Sequence, residues 1–446
     1  MSDQIKLSVK DFRAIKEADI KLNGITVVSG VNGCGKSTLS KFLYYTFFLA
    51  NDYDNIAKNQ LSDSLYDVNR FMFLLEKEMS AQGMDTYMFL ENESNLRSTE
   101  FLTIRLNELI EYVKNLTKQY SLKLNSQTTN KNNANRILNT LRTTLDISAQ
   151  NNDFDFLVDK LCSLIQRKFE TTLNVIEKRP QRILLNEFEE NFSEDFILPN
   201  VYSVSEYDVP IISNSSKFVS IVHSVENIAY IDTPMLLGMK IFDKVKHWED
   251  LNGFLKNKNY KKISFGNLGI SNLIQNEILE GDTDFEEEAN IVSSETFLFK
   301  RNDGSVFNLL ECATGVKSFS ILQLLLKNGF LTKNTLLIID EPEAHLHPQW
   351  IVEYARMIVL LNKEVGVKFF IASHSPDMVS AIKYISEKEQ TAKNLEYYLA
   401  EQTKDNPYLF NYKSLGTNID PIFESFNIAL DRINRYGISN ESNDLF

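Results

Sequence analysis

Residues 30–37 read Gly30-Val31-Asn32-Gly33-Cys34-Gly35-Lys36-Ser37, the spacing G-x-x-x-x-G-K-[ST]. They stand between a buried-strand run at residues 25–28 and a strongly apolar helical stretch at 37–50. Glycines let the backbone turn so that successive N–H groups point into a phosphate-sized hollow, and the helix that begins there adds its positive end. Lys36 is placed to reach the β- and γ-phosphates, and Ser37 to give an oxygen to Mg²⁺. The strand before and the helix after argue against an accidental glycine-rich turn.

Other segments extend the same architecture. Ile5, Leu7 and Val9 alternate with polar residues, as do Ile20 and Leu22, which predicts strands. Two more apolar runs, TLLIID at 335–340 and VKFFIA at 367–372, flank a helical pattern at 350–361. Strands separated by helices predict a parallel sheet with crossover connections. The first of these runs ends in two carboxylates, Asp340 and Glu341, the form of a Walker B site. In such a site Asp340 would hold Mg²⁺ through water and Glu341 would polarise the attacking water. His374 ends the next strand, in IASHSPD. A fourth piece, Ala313-Thr314-Gly315-Val316-Lys317-Ser318, opens a helical run; a hydroxyl and a glycine at a helix start can form an anion site.

The middle of the chain has a different texture. Leu102, Leu106, Leu109, Val113, Leu116 and Tyr120 step by four and three, a heptad-like seam. A polar tract at 125–136 reads as a connection. A second helical set follows it: Leu157, Leu161, Ile165, Phe169, Leu173 and Ile176. The pair fits an antiparallel arm, on the order of 30 Å long for helices of about 20 residues. The same spacing also fits ordinary packed helices of an α-helical subdomain. Residues 180–234 read as shorter and more β-like, and DTDFEEE at 282–288 reads as a solvated acidic loop.

Composition limits the partners. With 47 basic against 60 acidic side chains among 446 residues, the net charge is −13. A protein that grips DNA over its whole surface leans the other way, so nucleic-acid contact is confined to a local patch or belongs to a partner. No apolar run approaches the roughly 20 residues of a membrane span. The N-terminus lacks a signal-peptide pattern, and three scattered cysteines make neither a disulfide frame nor a CxxC site. A cytoplasmic protein with no membrane partner is expected.

Taken in order, FRAIKEADI with GVNGCGKST, then ATGVKSFS, IIDEPEAHLHPQW and IASHSPD, resemble the ABC-type ATPase heads of the RecF/SMC/OLD group. The resemblance covers roughly residues 1–55 and 305–385. It implies an α/β P-loop NTPase head, a mostly parallel sheet plus an antiparallel β lobe, interrupted by a helical, short coiled-coil-like insertion. The corresponding segments are 1–95 for the first part of the head, 96–180 for the helical arm, 181–290 for a mixed remainder and 291–446 for the second part. ATP and Mg²⁺ are the implied cofactors. Gly30, Asn32, Gly33, Cys34, Gly35, Lys36, Ser37 and Thr38, with Arg13, would bind nucleotide, and Ser37 and Asp340 the Mg²⁺. Glu341 and the switch histidine His374 would be catalytic. Thr314, Gly315 and Lys317 of one subunit would face the γ-phosphate bound by another, which makes a homodimer or higher oligomer. Val316 stands where the family has a second glycine. Gln60 and Gln82 are both candidates for the Q-loop glutamine. His345 and His347, a conceivable metal set with His374, fall in the segment that corresponds to the D-loop, the preferred reading.

The stretch after His374 carries neither the glutamate turn nor the DxD pair of a Toprim nuclease domain, and no CxxC hook interrupts the helical region. An ATPase without its own effector is expected. It resembles the ATPase subunits of Septu-type and PARIS-type anti-phage systems, which implies a separate nuclease or other effector protein and a phage-derived trigger. The alternative is a RecF-like repair ATPase that binds DNA directly, with Lys256, Lys258, Lys261 and Lys262 around Tyr260 as its basic patch.

Overall fold

The computed structural model describes residues 5–79, 97–125, 131–147, 153–192, 197–237, 245–257, 265–287, 295–344 and 346–424. Gln82, His345 and the lysines at 258, 261 and 262 lie outside the described residues. Two compact units divide the chain: Met1–Ala50 with Leu185–Phe446, and Asn51–Leu184. No helix among the described residues is long and apolar enough to cross a membrane.

In chain order the strands are Ile5–Phe12 (β1), Ile15–Leu22 (β2), Ile25–Ser29 (β3), Val201–Glu206 (β4), Val209–Ser213 (β5), Asn227–Ile231 (β6), Gly281–Glu287 (β7), Glu295–Arg301 (β8), Val306–Asn308 (β9), Thr335–Asp340 (β10), Lys368–Ser373 (β11), Leu395–Gln402 (β12) and Phe410–Gly416 (β13). Ten of them form one sheet, in the order β5-β4-β1-β2-β13-β12-β3-β11-β10-β6. β12, β3, β11, β10 and β6 run parallel, while β5, β4, β1 and β2 pair antiparallel. This is the mostly parallel α/β sheet with an antiparallel lobe.

Sequence texture explains the split. β1 and β2 alternate, with Ile5, Leu7, Val9, Ala18, Ile20 and Leu22 buried between polar residues, as one-sided strands must. In β3, β10 and β11 every residue is buried, because helices cover both faces of a parallel sheet. Leu337, Ile339, Phe369 and Ile371 share one core with residues of three helices, Thr314–Lys327, Pro348–Leu360 and Pro376–Lys388. Elsewhere in this unit Lys36–Asn51 (α1) packs through Phe42 on Phe12 and Tyr202, and through Tyr44 on Tyr230.

The second unit is helical: Tyr53–Ser64 (α2), Tyr66–Met79 (α3), Ser98–Asn125 (α4), Lys131–Leu145 (α5) and Phe154–Lys178 (α6). The seam residues Leu102, Leu109, Val113 and Tyr120 are buried against Leu157, Leu161, Ile165 and Phe169, and α4 packs along α6. Val68, Phe71 and Leu75 of α3 and Ile137 and Leu141 of α5 belong to the same core. The packed-subdomain alternative therefore describes the unit better than an isolated two-helix arm. The polar tract is not all connection, since α5 begins inside it at Lys131. Likewise the β-like stretch opens with a helix, Gln181–Phe192 (α7), before β4.

The acidic run is a strand rather than a solvated loop. β7 pairs antiparallel with β8, Thr283 opposite Phe299 and Phe285 opposite Phe297. Gly281, Thr283 and Phe285 face inward, while Asp282 pairs with Lys327 at 3.0 Å and Glu286 with Lys300 at 2.7 Å. Three acidic side chains on the outward positions, Asp282, Asp284 and Glu286, disguised a period of two. Beneath them the Thr283 N–H donates to Gln323 Oε1 at 2.8 Å, fully buried. Gln323→Met leaves that N–H without its acceptor, and a loss of about 1–3 kcal/mol is expected, read as a lower urea midpoint; an unchanged midpoint means water or relaxation replaces the bond.

Candidate nucleotide site

Neighbouring parallel strands end side by side at one edge of the large sheet. Ser29 of β3 lies opposite Ser373 of β11, Ala372 opposite Asp340 of β10, and Ile339 opposite Ile231 of β6. Parallel strands present like ends to the same side, so the residues that follow them converge. Those residues are the glycine-rich loop, His374, Glu341 and Asp232.

The loop has the conformation its glycines allow. Gly33 and Gly35 have φ of +81° and +99°, and a Cβ on Gly35 would lie 2.7 Å from Ile15 Cγ1. α1 begins at Lys36 with no acidic residue in its first turn, which keeps its positive end available to an anion. The Lys36 ammonium donates to the carbonyls of Gly30 at 2.9 Å and Val31 at 3.2 Å. Arg13, Asn32, Gly33, Gly35, Lys36, Ser37, Thr38 and Glu341 line an open cavity of about 340 Å³. Arg13 sits in the β1–β2 turn with its guanidinium 5.3 Å above the Phe192 ring. Cys34 is different: its thiol is buried 3.8 Å from the Tyr412 hydroxyl, which donates to the Cys34 carbonyl. Only its backbone can serve a ligand.

Asp340 is 7% exposed and ties the sheet to α1. One carboxylate oxygen accepts the Ser40 hydroxyl, and the other accepts the Tyr230 hydroxyl at 2.8 Å. Burial pushes the Asp340 carboxyl up; hydrogen bonds from Ser40, Ser37 and Tyr230 oppose the shift. Burial, then the Asp340 charge, raises the Tyr230 phenol well above its usual range, so it remains a donor. Glu341 follows with φ +47°, a left-handed conformation that costs a non-glycine residue roughly 1–2 kcal/mol. Its N–H donates to Ala372 O at 2.7 Å, and its carboxylate, 47% exposed, reaches the cavity wall. His374 places Nδ1 3.6 Å from Glu341 Oε1. Hydroxyl and carboxylate oxygens are the hard donors Mg²⁺ takes, while an ammonium and loop N–H groups suit phosphate, so the residues fit both.

The signature residues lie apart from this cavity. Thr314 opens the helix Thr314–Lys327, half-buried. Gly315 lies under Trp350, where a Cβ would come within 2.7 Å of the ring. Lys317 departs from expectation: it is 4% exposed, and its ammonium donates to Leu310 O at 2.8 Å. It braces the turn before the helix rather than pointing out toward a second subunit. His347 caps the helix Pro348–Leu360, its ring accepting the Gln349 N–H at 3.4 Å. Gln60 is an exposed residue of α2, in the other unit.

Asp232, beside Asp340, escaped the sequence reading. Its carboxylate accepts Trp248 Nε1–H at 2.7 Å and lies 2.9 Å from His247 Nε2. IAYIDTP at 228–234 repeats the form of LLIIDEP at 336–342, an apolar strand ending in Asp-x-Pro, and that was the available signal. Ser40 and Tyr230 carried none, because their relevance is set by packing alone. Tyr230→Phe removes one donor from a buried carboxylate, so a loss of about 1.5–3 kcal/mol is expected. Thermal or urea unfolding of the variant checks it, and equal stability would show that the bond contributes nothing net.

Comparison with known proteins agrees at family level. The Old nuclease of Escherichia phage P2 is 34% identical over 90 residues, 20% of this chain and 15% of that protein. The chain thus spans only a small part of that relative's length. Among solved structures, the Smc head domain of Pyrococcus furiosus, bound to the C-terminal domain of ScpA, superimposes with a TM-score of 0.33 at 12% identity, over 97% of this chain and 100% of that one. For the SMC head domain of Thermotoga maritima the values are 0.35, 9%, 93% and 99%. The AAA ATPase domain family matches residues 5–379, which takes in every strand of the nucleotide edge. The chain belongs to that family and is an ATPase.

Proposed function

We propose that the protein binds and hydrolyses Mg·ATP in the cavity at the strand edge and works as the ATPase subunit of a defence complex whose effector is a separate nuclease. The observation that carries the catalytic part is the bond between Ser40 of α1 and Asp340 of β10, which closes the glycine-rich loop onto the acidic strand end. Loop N–H groups, Lys36, Ser37 and Thr38 hold the phosphates, with Asn32 and Arg13 at the rim. Ser37 and Asp340 hold the Mg²⁺, which would neutralise charge on the phosphate oxygens. Glu341, exposed at the cavity wall, orients and polarises the attacking water. His374 contacts the terminal phosphate.

The same reading has two copies closing on nucleotide, with Thr314 and the backbone of Gly315 from one copy facing the phosphates held by the other. Lys317 is left out of that contact, because its ammonium is committed to Leu310. Hydrolysis would then loosen the interface and change what the complex holds. The stretch of identity with the phage Old nuclease and the net charge of −13 support a role beside a nuclease rather than direct DNA gripping. A cytoplasmic location and a phage-derived trigger belong to this reading.

Two variants test it. Glu341→Gln should keep ATP binding, lower kcat by about 10²–10⁴-fold and accumulate ATP-bound dimers. Native mass spectrometry of that variant, recovered with Mg·ATP from its host's lysate, should find two or more copies with a nuclease-sized protein; dimers carrying DNA and no protein would move the assignment to DNA repair. Thr314→Arg should bind ATP normally yet stay monomeric by light scattering. Dimers of Thr314→Arg with ATP would remove the signature helix from the interface.

A further inference from the structure

Glu343 lies in the turn between β10 and the helix Pro348–Leu360, and its side chain is 8% exposed. Its Oε1 accepts the Ser373 hydroxyl at 3.0 Å and the His374 backbone N–H at 3.0 Å. One buried carboxylate therefore bolts the end of β11 to the turn after β10. The His374 ring comes back over the same group, with Nδ1 3.4 Å from Glu343 Oε1. Among the described residues, His374 Nδ1 and Glu343 Oε2 are both shielded from solvent and both without a hydrogen-bond partner. One can donate and the other accept, and buried polar atoms are rarely left unpaired. A small turn of either side chain satisfies both.

We infer that Glu343 is a positioning residue for His374. It accepts the Nδ1 proton, holds the ring in the Nδ1–H tautomer and turns the Nε2 edge outward. The ring is 43% exposed while Nδ1 is shielded, so the open edge is the one that carries Nε2. Glu341 Oε1 lies 3.6 Å from the same nitrogen but is 47% exposed. Glu343 is fixed by its two other bonds and Glu341 is not, so the two carboxylates divide the work. Glu343 holds the imidazole, and Glu341 stays free for water. Which nitrogen of a histidine faces its target is set by the bond the other one makes. The inference rests on the proposed contact between His374 and the terminal phosphate. The ring makes that contact when Nε2 also carries a proton and donates it to a phosphate oxygen, with Glu343 holding Nδ1–H.

The test uses the full chain labelled with ¹⁵N at histidine, in alkaline buffer where histidine rings are neutral. Long-range ¹H–¹⁵N spectra report each tautomer, and His374→Gln identifies the signals of residue 374. The expected wild-type ring has a protonated Nδ1 and a bare Nε2. Glu343→Met, without an acceptor, should shift the ring toward the Nε2–H form and lower kcat roughly 10- to 100-fold at unchanged KM for ATP. Glu343→Gln, which keeps an acceptor oxygen, should restore the tautomer and most of kcat. A wild-type ring in the Nε2–H form overturns the inference, and that spectrum needs no variant to fold. So does a Glu343→Met protein that has switched tautomer but turns over like wild type. If His374→Gln itself hydrolyses ATP normally, the assigned role of His374 fails, while the wild-type spectrum still decides the Glu343 contact.

Discussion

Parallel pairing of β3, β11, β10 and β6 is the constraint on which the rest of the site depends. Each strand is apolar along its length, so each can be buried on both faces, and only a parallel arrangement brings their carboxyl ends to one edge. The register is one residue from strand to strand: Ser29 beside Ser373, Asp340 beside Ala372, Ile231 beside Ile339. A slip of one residue in β10 would send Asp340 to the opposite face, away from Ser40 and Tyr230. Chemistry at the edge is thus secured by hydrophobic burial well below it.

At that edge the acidic groups are in two states. Asp340, Asp232 and Glu343 are tied down, by Ser40 and Tyr230, by Trp248 and His247, and by Ser373 and the His374 backbone. Among the described residues the Glu341 carboxylate has no such anchor, and it sits on a left-handed backbone position beside the cavity. Strained conformations concentrate where function over-determines them. Hydrogen-bonded carboxylates beneath an exposed one give a site whose electrostatics are preorganised. Tying the carboxylates down also offsets the cost of burying charge.

The helical unit follows separate rules. Its core joins five described helices through positions spaced by three and four. α4 and α6 supply the long seam, and α2, α3 and α5 cover what two helices alone would leave wet. An amphipathic helix with a stripe broader than a two-stranded seam needs more than one neighbour. That width, rather than the heptad spacing, separates a packed subdomain from an arm.

What the sequence determined by itself is what local periodicity and short-range chemistry encode. The glycine-rich loop, the apolar strand ending in Asp340 and Glu341 and the histidine after the next strand were legible because each is a property of fewer than ten consecutive residues. The parallel α/β class followed from the alternation of such strands with helical stretches. Tertiary structure alone decided the remainder. β7 was hidden because outward acidic side chains mask an alternation that only a partner strand makes visible. Lys317, expected to face a phosphate held by another subunit, has its ammonium on Leu310 O instead, which only packing reveals. Asp232 and Glu343 gained their places from strand order and burial, which depend on residues far away along the chain. Ser40 and Asp340 stand 300 positions apart; a pattern read along the chain has no term for such a pair, and the folded sheet makes it a hydrogen bond.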